Sequence, residues 1–173
     1  MNDLLTVLLF FLPAGLSNMA PVLGNKIPGW NHWGTPLDFG VTFRGTRIFG
    51  PNKTWRGLVG GTLLSALVGY ILFNLLGLQL SRGNYLLLGA AMGFGALFGD
   101  AVESFFKRQV GVAAGNSWFP FDQVDYIVGG LLFSLPFIRF SAGEYVAIFA
   151  TYFGLHLAVS YVGYLLHLKD KPI

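Results

Sequence analysis

The sequence predicts an all-α, polytopic integral membrane protein with five transmembrane helices and one long cytoplasmic loop. Only 11% of its 173 residues are charged and 54% are hydrophobic, whereas soluble domains carry roughly 25% charged residues. The mean hydropathy is +0.60. Five apolar stretches are each close to the roughly 17–25 residues that a bilayer crossing requires. We therefore expect a single membrane domain covering residues 1–173.

The five predicted spans follow one another with short connections, apart from one. They are residues 4–23, 58–80, 85–106, 124–140 and 145–168. The first span is too long, and too poor in N-terminal positive charge, for a cleaved signal peptide, and Pro21 predicts that it kinks or ends nearby. The fourth is the shortest and could begin at Asp122. The long loop, residues 24–56, contains a weakly alternating segment, 41–49, that predicts a small hairpin about Gly45.

Glycines and cations add two further expectations about the helices. Glycines four residues apart, at 57 and 61, 89 and 93, and 95 and 99, predict close helix packing. Nine of the eleven lysines and arginines flank one set of helix ends; only Arg82 and Arg139 lie at the other. The positive-inside rule then places the N-terminus outside and the C-terminus in the cytoplasm. The chemically suggestive residues would all face the cytoplasm.

The end of the third predicted span carries polar residues spaced three and four apart, which puts them on one helix face. They are Asp100, Glu103, Ser104, Lys107 and Arg108. Charges at such depth need partners, water or a function. A structural alternative is an intrahelical ion pair between Glu103 and Lys107, with cations that reach toward the headgroups. Acid at one end of the face and base at the other would also suit a metal ion and a phosphate.

Two further clusters lie at predicted helix starts. Asp122 and Asp125 could be simple N-terminal acids that complement the helix dipole, or ligands of a hard divalent cation. Lys53 and Arg56 lie at the positive end of a helix dipole, where a cation is disfavoured unless an anion binds there. The alternative for these two cations is positive-inside bias combined with a turn.

Together the three clusters suit phosphoryl or nucleotidyl transfer to a lipid phosphate at the membrane surface. The chain contains no cysteine, and carboxylates without cysteine or paired histidine favour Mg²⁺, with Mn²⁺ possible, over zinc. No hydrolase triad, dinucleotide fingerprint or Walker lysine motif is present, and no feature indicates a nucleic-acid partner. A small transporter or channel with an intramembrane acidic site stays open, although it would predict a polar path to the outer side. A non-catalytic lipid-binding scaffold would not need so many clustered charges.

The paired motifs resemble those of the CDP-diacylglycerol synthase family. Gly99-Asp100-x-x-Glu103-Ser104-x-x-Lys107-Arg108, followed by Asp122-Gln123-Val124-Asp125, is similar to the family signature. The run 53–57 resembles its lysine-threonine-tryptophan-glutamate-glycine motif, with Arg56 in place of the acid. The short five-helix form and residues 18–21 resemble the archaeal branch. Two departures are Gln123, where the family has arginine, and the run 113–117, which lacks a family aspartate, so a complete two-metal site does not carry over.

The resemblance implies a CTP-dependent cytidylyltransferase in the cell membrane. Its acceptor would be an isoprenoid ether-lipid phosphate, digeranylgeranylglyceryl phosphate, and its products a CDP-activated lipid and pyrophosphate. Asp100, Asp122 and Asp125 would hold Mg²⁺, with Glu103 and Lys107 also catalytic. The implied substrate-binding residues are Asn18, Lys26, Lys53, Thr54, Arg56, Ser104 and Arg108.

Overall fold

The computed structural model describes residues 4–24, 29 and 32–166, and this part of the chain is mostly helical. Its elements, in chain order, are α1 (Leu4–Phe10), α2 (Leu12–Gly24), β1 (Thr42–Phe43), β2 (Thr46–Arg47), α3 (Trp55–Leu76), α4 (Tyr85–Gln109), α5 (Phe121–Ser134) and α6 (Ala142–Leu165).

Four segments are long and apolar enough to cross a bilayer: residues 4–21, α3, α4 and α6. The fourth expected span is different, because α5 has only 14 residues and is about 21 Å long at 1.5 Å per residue. The helix ends at Ser134, whereas the expected span continued to residue 140. Length and composition therefore support four spans, not the five expected.

The first predicted span is two helices, and its break is not where the sequence placed it. The chain leaves the helix at Phe11, two residues before Pro13, whose ring and missing N–H disrupt the preceding turn. Pro21 lies inside α2, which continues to Gly24. The helix therefore ends three residues after Pro21, close to where the sequence analysis expected a kink or an end.

Local capping explains where the other long helices begin and end. Thr54 and Asn84 accept hydrogen bonds from the first turns of α3 and α4. Ser141 and Glu144 form a reciprocal capping box at the start of α6. Gly77, with φ 59°, ends α3 in the left-handed conformation that glycine adopts without strain. Accordingly α3 and α6 each begin three residues earlier than expected.

Helix α4 lies at the centre of the bundle and packs on α2, α3 and α5. Small residues bring the backbones into contact, as the glycine spacing predicts. A Cβ built on Gly89 would lie 2.6 Å from the Ser65 carbonyl, and one on Gly95 would lie 2.5 Å from the Gly129 carbonyl. Larger residues there would force the helices apart.

Helix α5 and the turns after it run antiparallel along α4. At one end Lys107 of α4 contacts Asp122 of α5. At the other end Phe137 packs on Gly83, and Ser81 donates its backbone N–H to the Phe137 carbonyl. The segment 121–138 therefore accompanies α4 along nearly its whole length, although only its first part is regular helix.

The predicted hairpin about Gly45 is confirmed: β1 and β2 pair antiparallel, with Thr42 opposite Arg47. Asp38 holds the loop around it. This carboxylate pairs with Arg47 and accepts backbone hydrogen bonds from Gly40, Phe49 and Gly50. Burial alone would raise the pKa of Asp38, but these hydrogen bonds outweigh it and lower the pKa from 3.8 to about 2.

Asp38→Asn should loosen this loop without unfolding the helices. Because the folded pKa is depressed, the carboxylate stabilises the loop fully above the unfolded pKa near 3.8, and the effect is lost as pH falls through about 2. At neutral pH the variant should lose about 2 kcal/mol of loop stability. Hydrogen exchange at the Phe49 and Gly50 amides measures this loss. Thr42→Ala, at an exposed position in the same loop, is the control. If these amides exchange as slowly in Asp38→Asn as in Thr42→Ala, the carboxylate does not stabilise the loop.

Candidate active site

A cavity of about 990 Å³ opens at one end of the helices, where α3 begins and α4 ends. Its walls come from α2, the loop before α3, the loop between α4 and α5, and the inner turns of α5 and α6. Nine of the twelve predicted site residues line it: Asn18, Lys53, Thr54, Arg56, Asp100, Ser104, Lys107, Arg108 and Asp122. Asn18 and Asp122, which are 104 positions apart in sequence, thus meet in one space only because α2, α4 and α5 pack together.

Two predicted residues among those that the structure describes are not part of the lining. Lys26 lies outside the described residues. Glu103 and Asp125 lie beside the cavity, next to Asp100. Asp100, Glu103 and Asp125 each offer a carboxylate oxygen, and these oxygens lie within 4.8 Å of one another. The acids that lie closest together therefore include Glu103. The metal-binding set implied by the sequence contained Asp122 in its place.

Asp122 occupies a different position in the same network. It accepts a hydrogen bond from Lys107 Nζ at 2.5 Å and another from the Trp118 backbone N–H. Lys107 also lies 3.6 Å from Glu103, so the i,i+4 pair predicted from the sequence is present. Lys107 thus joins the acid at the start of α5 to the acid on α4.

Lys53 provides the second cation at the acids. Its Nζ lies 2.6 Å from both carboxylate oxygens of Asp100. This contact connects the start of α3 to α4 across 47 residues of sequence. Both side chains are only partly buried, so the pair faces the cavity and is open to exchange with a ligand.

The donor set fits one hard divalent cation. Asp100, Glu103 and Asp125 offer three carboxylate oxygens, the type of ligand that such a cation prefers. Oxygen ligands of one Mg²⁺ lie at most about 4.2 Å apart, twice the 2.1 Å bond. The carboxylate oxygens of Asp100, Glu103 and Asp125 lie within 4.8 Å of one another, so the three side chains need to move only slightly closer to reach that geometry.

Close backbone contact places Asp125 beside Asp100. A Cβ on Gly99 would lie 2.3 Å from the Asp125 carbonyl oxygen and 3.3 Å from the Gly129 Cα. Only glycine permits this approach of α5 to α4. The glycine spacing that the sequence shows is therefore also part of how the acid cluster is assembled.

The phosphate-binding cluster predicted at the start of α3 is at the cavity wall. Thr54 Oγ1 accepts the Gly57 N–H as the helix cap, while the Thr54 residue also lines the cavity. Arg56 is only 6% exposed. Arg108 packs beside Gly50 and donates to the Ala113 carbonyl at 3.4 Å. Cations of α3 and α4 thus converge on the same space as the acids.

Gln123, His156 and Ser160 are among the cavity residues that were not predicted as functional. Gln123 is 2% exposed, and its Oε1 has no hydrogen-bond partner among the described residues. Its position between the two acids of α5 was the available signal. His156 is one of three scattered histidines, a pattern that indicates a structural or interfacial role, and only the tertiary structure brings it to the cavity.

Comparison with known proteins agrees with this geometry. The CarS-like, CDP-archaeol synthase family model matches residues 1–173. The chain is 32% identical to a CDP-archaeol synthase of Thermococcus onnurineus, over 99% of this chain and 98% of that protein. It is 37% identical to the CDP-archaeol synthase of Archaeoglobus fulgidus, over 80% of this chain and 84% of that one.

A solved structure has the same fold. It is described as an intramembrane enzyme for archaeal membrane lipids biosynthesis, and it aligns with a TM-score of 0.77 and 28% identity over 91% of this chain and 94% of that chain. Sequence, fold and the full-length family match point to one assignment: the chain is a member of the CDP-archaeol synthase family.

Proposed function

We propose that this chain transfers the cytidylyl group of CTP to an isoprenoid ether-lipid phosphate, digeranylgeranylglyceryl phosphate, with release of pyrophosphate. The observation that carries the proposal is one cavity in which Lys53, Arg56, Lys107 and Arg108 converge beside clustered carboxylates. Its volume of about 990 Å³ is at the upper end of the roughly 300–1,000 Å³ typical of small-molecule sites. That volume suits a nucleotide together with a lipid headgroup.

The attacking group needs little activation by the protein. A lipid phosphate is largely dianionic at neutral pH, and one of its oxygens would attack the α-phosphorus of CTP while pyrophosphate leaves. The P–O bond to the attacking oxygen forms as the bond to the β-phosphate oxygen breaks. The protein then has two tasks, which are to align the two phosphates and to neutralise their charge.

The basic side chains would perform the alignment. Lys53 and Arg56, at the start of α3, and Arg108, at the end of α4, would bind phosphate oxygens from different walls of the cavity. Lys107, held by Asp122 and Glu103, would be fixed in direction. Asn18, Ser104 and Lys26 are the further substrate-binding candidates, of which Asn18 and Ser104 line the cavity.

Asp100, Glu103 and Asp125 would hold the divalent cation, with Asp122 as the fourth acid near it. When bound, Mg²⁺ or Mn²⁺ supplies Lewis-acid polarisation of a phosphoryl oxygen. The three carboxylates would orient it from two helices, so its position relative to Lys53 depends on the contact between α4 and α5.

The proposal is tested with purified protein, labelled CTP and the lipid phosphate. CDP-lipid and pyrophosphate should form in equal amounts when Mg²⁺ is present, and product formation should stop on chelation and return when Mg²⁺ is restored. Turnover at the full rate after chelation would exclude the metal. No CDP-lipid under any condition would exclude the reaction itself.

Lys53→Ala and Arg56→Ala should each raise the KM for CTP or for the lipid phosphate by about tenfold or more. Loss of one charge-assisted hydrogen bond costs roughly 1.5–3 kcal/mol, and about 1.4 kcal/mol is a factor of ten. Arg82→Ala, which removes an exposed cation at the other helix ends, is the matched control. If KM for both substrates is unchanged in both variants, these cations serve topology alone.

We also infer five crossings, with α5 and the turns to residue 140 forming the fourth, the N-terminus outside and the cavity facing the cytoplasm. The cation bias and the path of 121–138 along α4 support this orientation. In this cysteine-free chain, cysteine at Ala113 should react with an impermeant reagent only from the cytoplasmic face. Cysteine at Gln79 should react only from outside. The opposite pattern would invert the topology.

A further inference from the structure

The loop that carries the hairpin exposes apolar side chains that the cavity does not use. Phe39, Val41 and Phe43 alternate along the chain and are 69%, 55% and 47% exposed. None of the three lines the cavity. Clustered exposed apolar residues mark an interaction surface, and here they share one short, ordered element.

This surface continues onto a membrane-spanning helix. The Phe43 ring lies 6.1 Å from the Phe105 ring, which lies 5.4 Å from the ring of Phe106, itself 51% exposed. Gln109 Nε2 donates to Thr46 Oγ1 at 3.2 Å, which fastens the hairpin to the end of α4. The hairpin therefore lies at the level where a span of the bilayer ends, the level that aromatic residues favour.

A cation occupies the hairpin tip at a cost in backbone energy. Arg44 and Gly45 have φ of 52° and 79°, the two left-handed positions of a type I′ turn. Asparagine, aspartate or glycine adopts the first position more readily than arginine. The Arg44 guanidinium lies 5.4 Å from the centre of the Phe43 ring, and no carboxylate of the described residues forms a salt bridge with it. A strained, unpaired arginine beside an apolar face indicates an anionic partner.

We propose that this hairpin is an interfacial anchor: Phe39, Val41 and Phe43 insert at the headgroup level of the adjacent leaflet, and Arg44 binds lipid headgroup phosphates. The planar guanidinium suits phosphate oxygens, and apolar side chains next to a cation match the chemistry of that boundary. The anchor concerns how the protein engages the bilayer surface and does not depend on the reaction proposed above.

Anchoring would also fix one wall of the cavity. Asp38 ties Arg47 of the hairpin to the backbone of Phe49 and Gly50, and these two residues line the cavity. The position of the hairpin on the membrane surface is thereby linked to the loop that leads into Lys53.

Fluorescent labels at adjacent strand positions test the anchor. Val41 directly precedes β1, and its carbonyl accepts the Ile48 N–H from the other side of the hairpin, so its side chain and that of Thr42 are expected on opposite faces. Val41→Cys and the matched control Thr42→Cys, each carrying an environment-sensitive dye, are compared in vesicles of phosphatidylcholine with and without phosphatidylglycerol. The Val41 dye should be blue-shifted and quenched by a lipid-attached quencher, and the Thr42 dye quenched by iodide. Equal iodide quenching at both positions would overturn the proposal.

A second set of measurements isolates Arg44 and the identity of the partner. In Arg44→Gln, iodide should quench the Val41 dye severalfold more strongly, because the dye moves toward water. This increase should be largest in vesicles with phosphatidylglycerol, and inorganic phosphate should not reproduce it. An unchanged Val41 dye in Arg44→Gln would remove Arg44 from the anchor. A blue shift that disappears when the protein is diluted in excess lipid would assign the surface to contact between copies of the chain and overturn the proposal.

Discussion

Asp125→Asn is expected to lower the rate of CDP-lipid formation by on the order of 10²–10³, the loss that follows removal of one charge-stabilising group from an active site. Asp125 contributes the one oxygen of the three-acid cluster that comes from α5. An amide keeps the size of the side chain but is neutral, and a hard cation binds it less well than a carboxylate. Initial rates across a Mg²⁺ titration measure both the maximal rate and the apparent metal affinity.

Asp122→Asn is the informative comparison. Asp122 contacts Lys107 and the Trp118 backbone N–H, so its loss should lower the rate with a smaller change in apparent Mg²⁺ affinity. If Asp125→Asn turns over at nearly the normal rate, Asp125 is a helix-start acid and not a metal ligand. If Asp122→Asn lowers the apparent Mg²⁺ affinity as much as Asp125→Asn does, Asp122 is a metal ligand, as the set implied by the sequence has it.

Gly99→Ala is expected to remove activity and lower thermal stability together. The added Cβ would lie 2.3 Å from the Asp125 carbonyl oxygen, and backbone cannot move aside as a flexible side chain can. Overpacking of this kind typically costs about 1–3 kcal/mol. The strain would be relieved by moving α5 away from α4, which would also move Asp125 away from Asp100. Melting in detergent and CDP-lipid formation are the two measurements.

The matched control is Gly143→Ala in α6, because a Cβ at Gly143 meets nothing within 4 Å. This variant should melt and turn over like the parent. If Gly99→Ala has normal activity and melts normally, α4 and α5 can move apart without loss of stability or activity. The close approach of the two helices would then not be needed to assemble the site.

Nine of the residues that the sequence analysis named line one cavity, but most of the contacts among them were not predicted. Lys53, Asp100 and Lys107 could be assigned because charges at apolar helix ends are rare and need a reason. Helix periodicity also predicted the Glu103–Lys107 pair. Which acids lie together depends on the rotation of α5 against α4. The spacing of Gly95 and Gly99 predicts that some helix packs closely there, but not that the partner is α5 at Gly129.

The length of α5 and the break at Phe11 were missed for local reasons. Residues 135–140 contain four large apolar side chains, so hydropathy extends the predicted span past the end of the helix at Ser134. Pro136, which cannot donate a helix hydrogen bond, was the available signal for that end. A kink or end was expected near Pro21, where α2 does end three residues later, but the break two residues before Pro13 was not expected. His156 carried no signal, because an isolated histidine in an apolar helix is usually structural.

The contact of Lys53 with both oxygens of Asp100 has a consequence for how ligands bind. A metal ion entering alone must compete with an ammonium for the same carboxylate, so its affinity should be modest. Nucleotide entering with it offers the displaced ammonium a phosphate to bind. Metal and CTP should therefore bind with positive cooperativity, each raising the affinity of the other by the same factor. The lysine acts as an internal counter-ion that couples the two ligands.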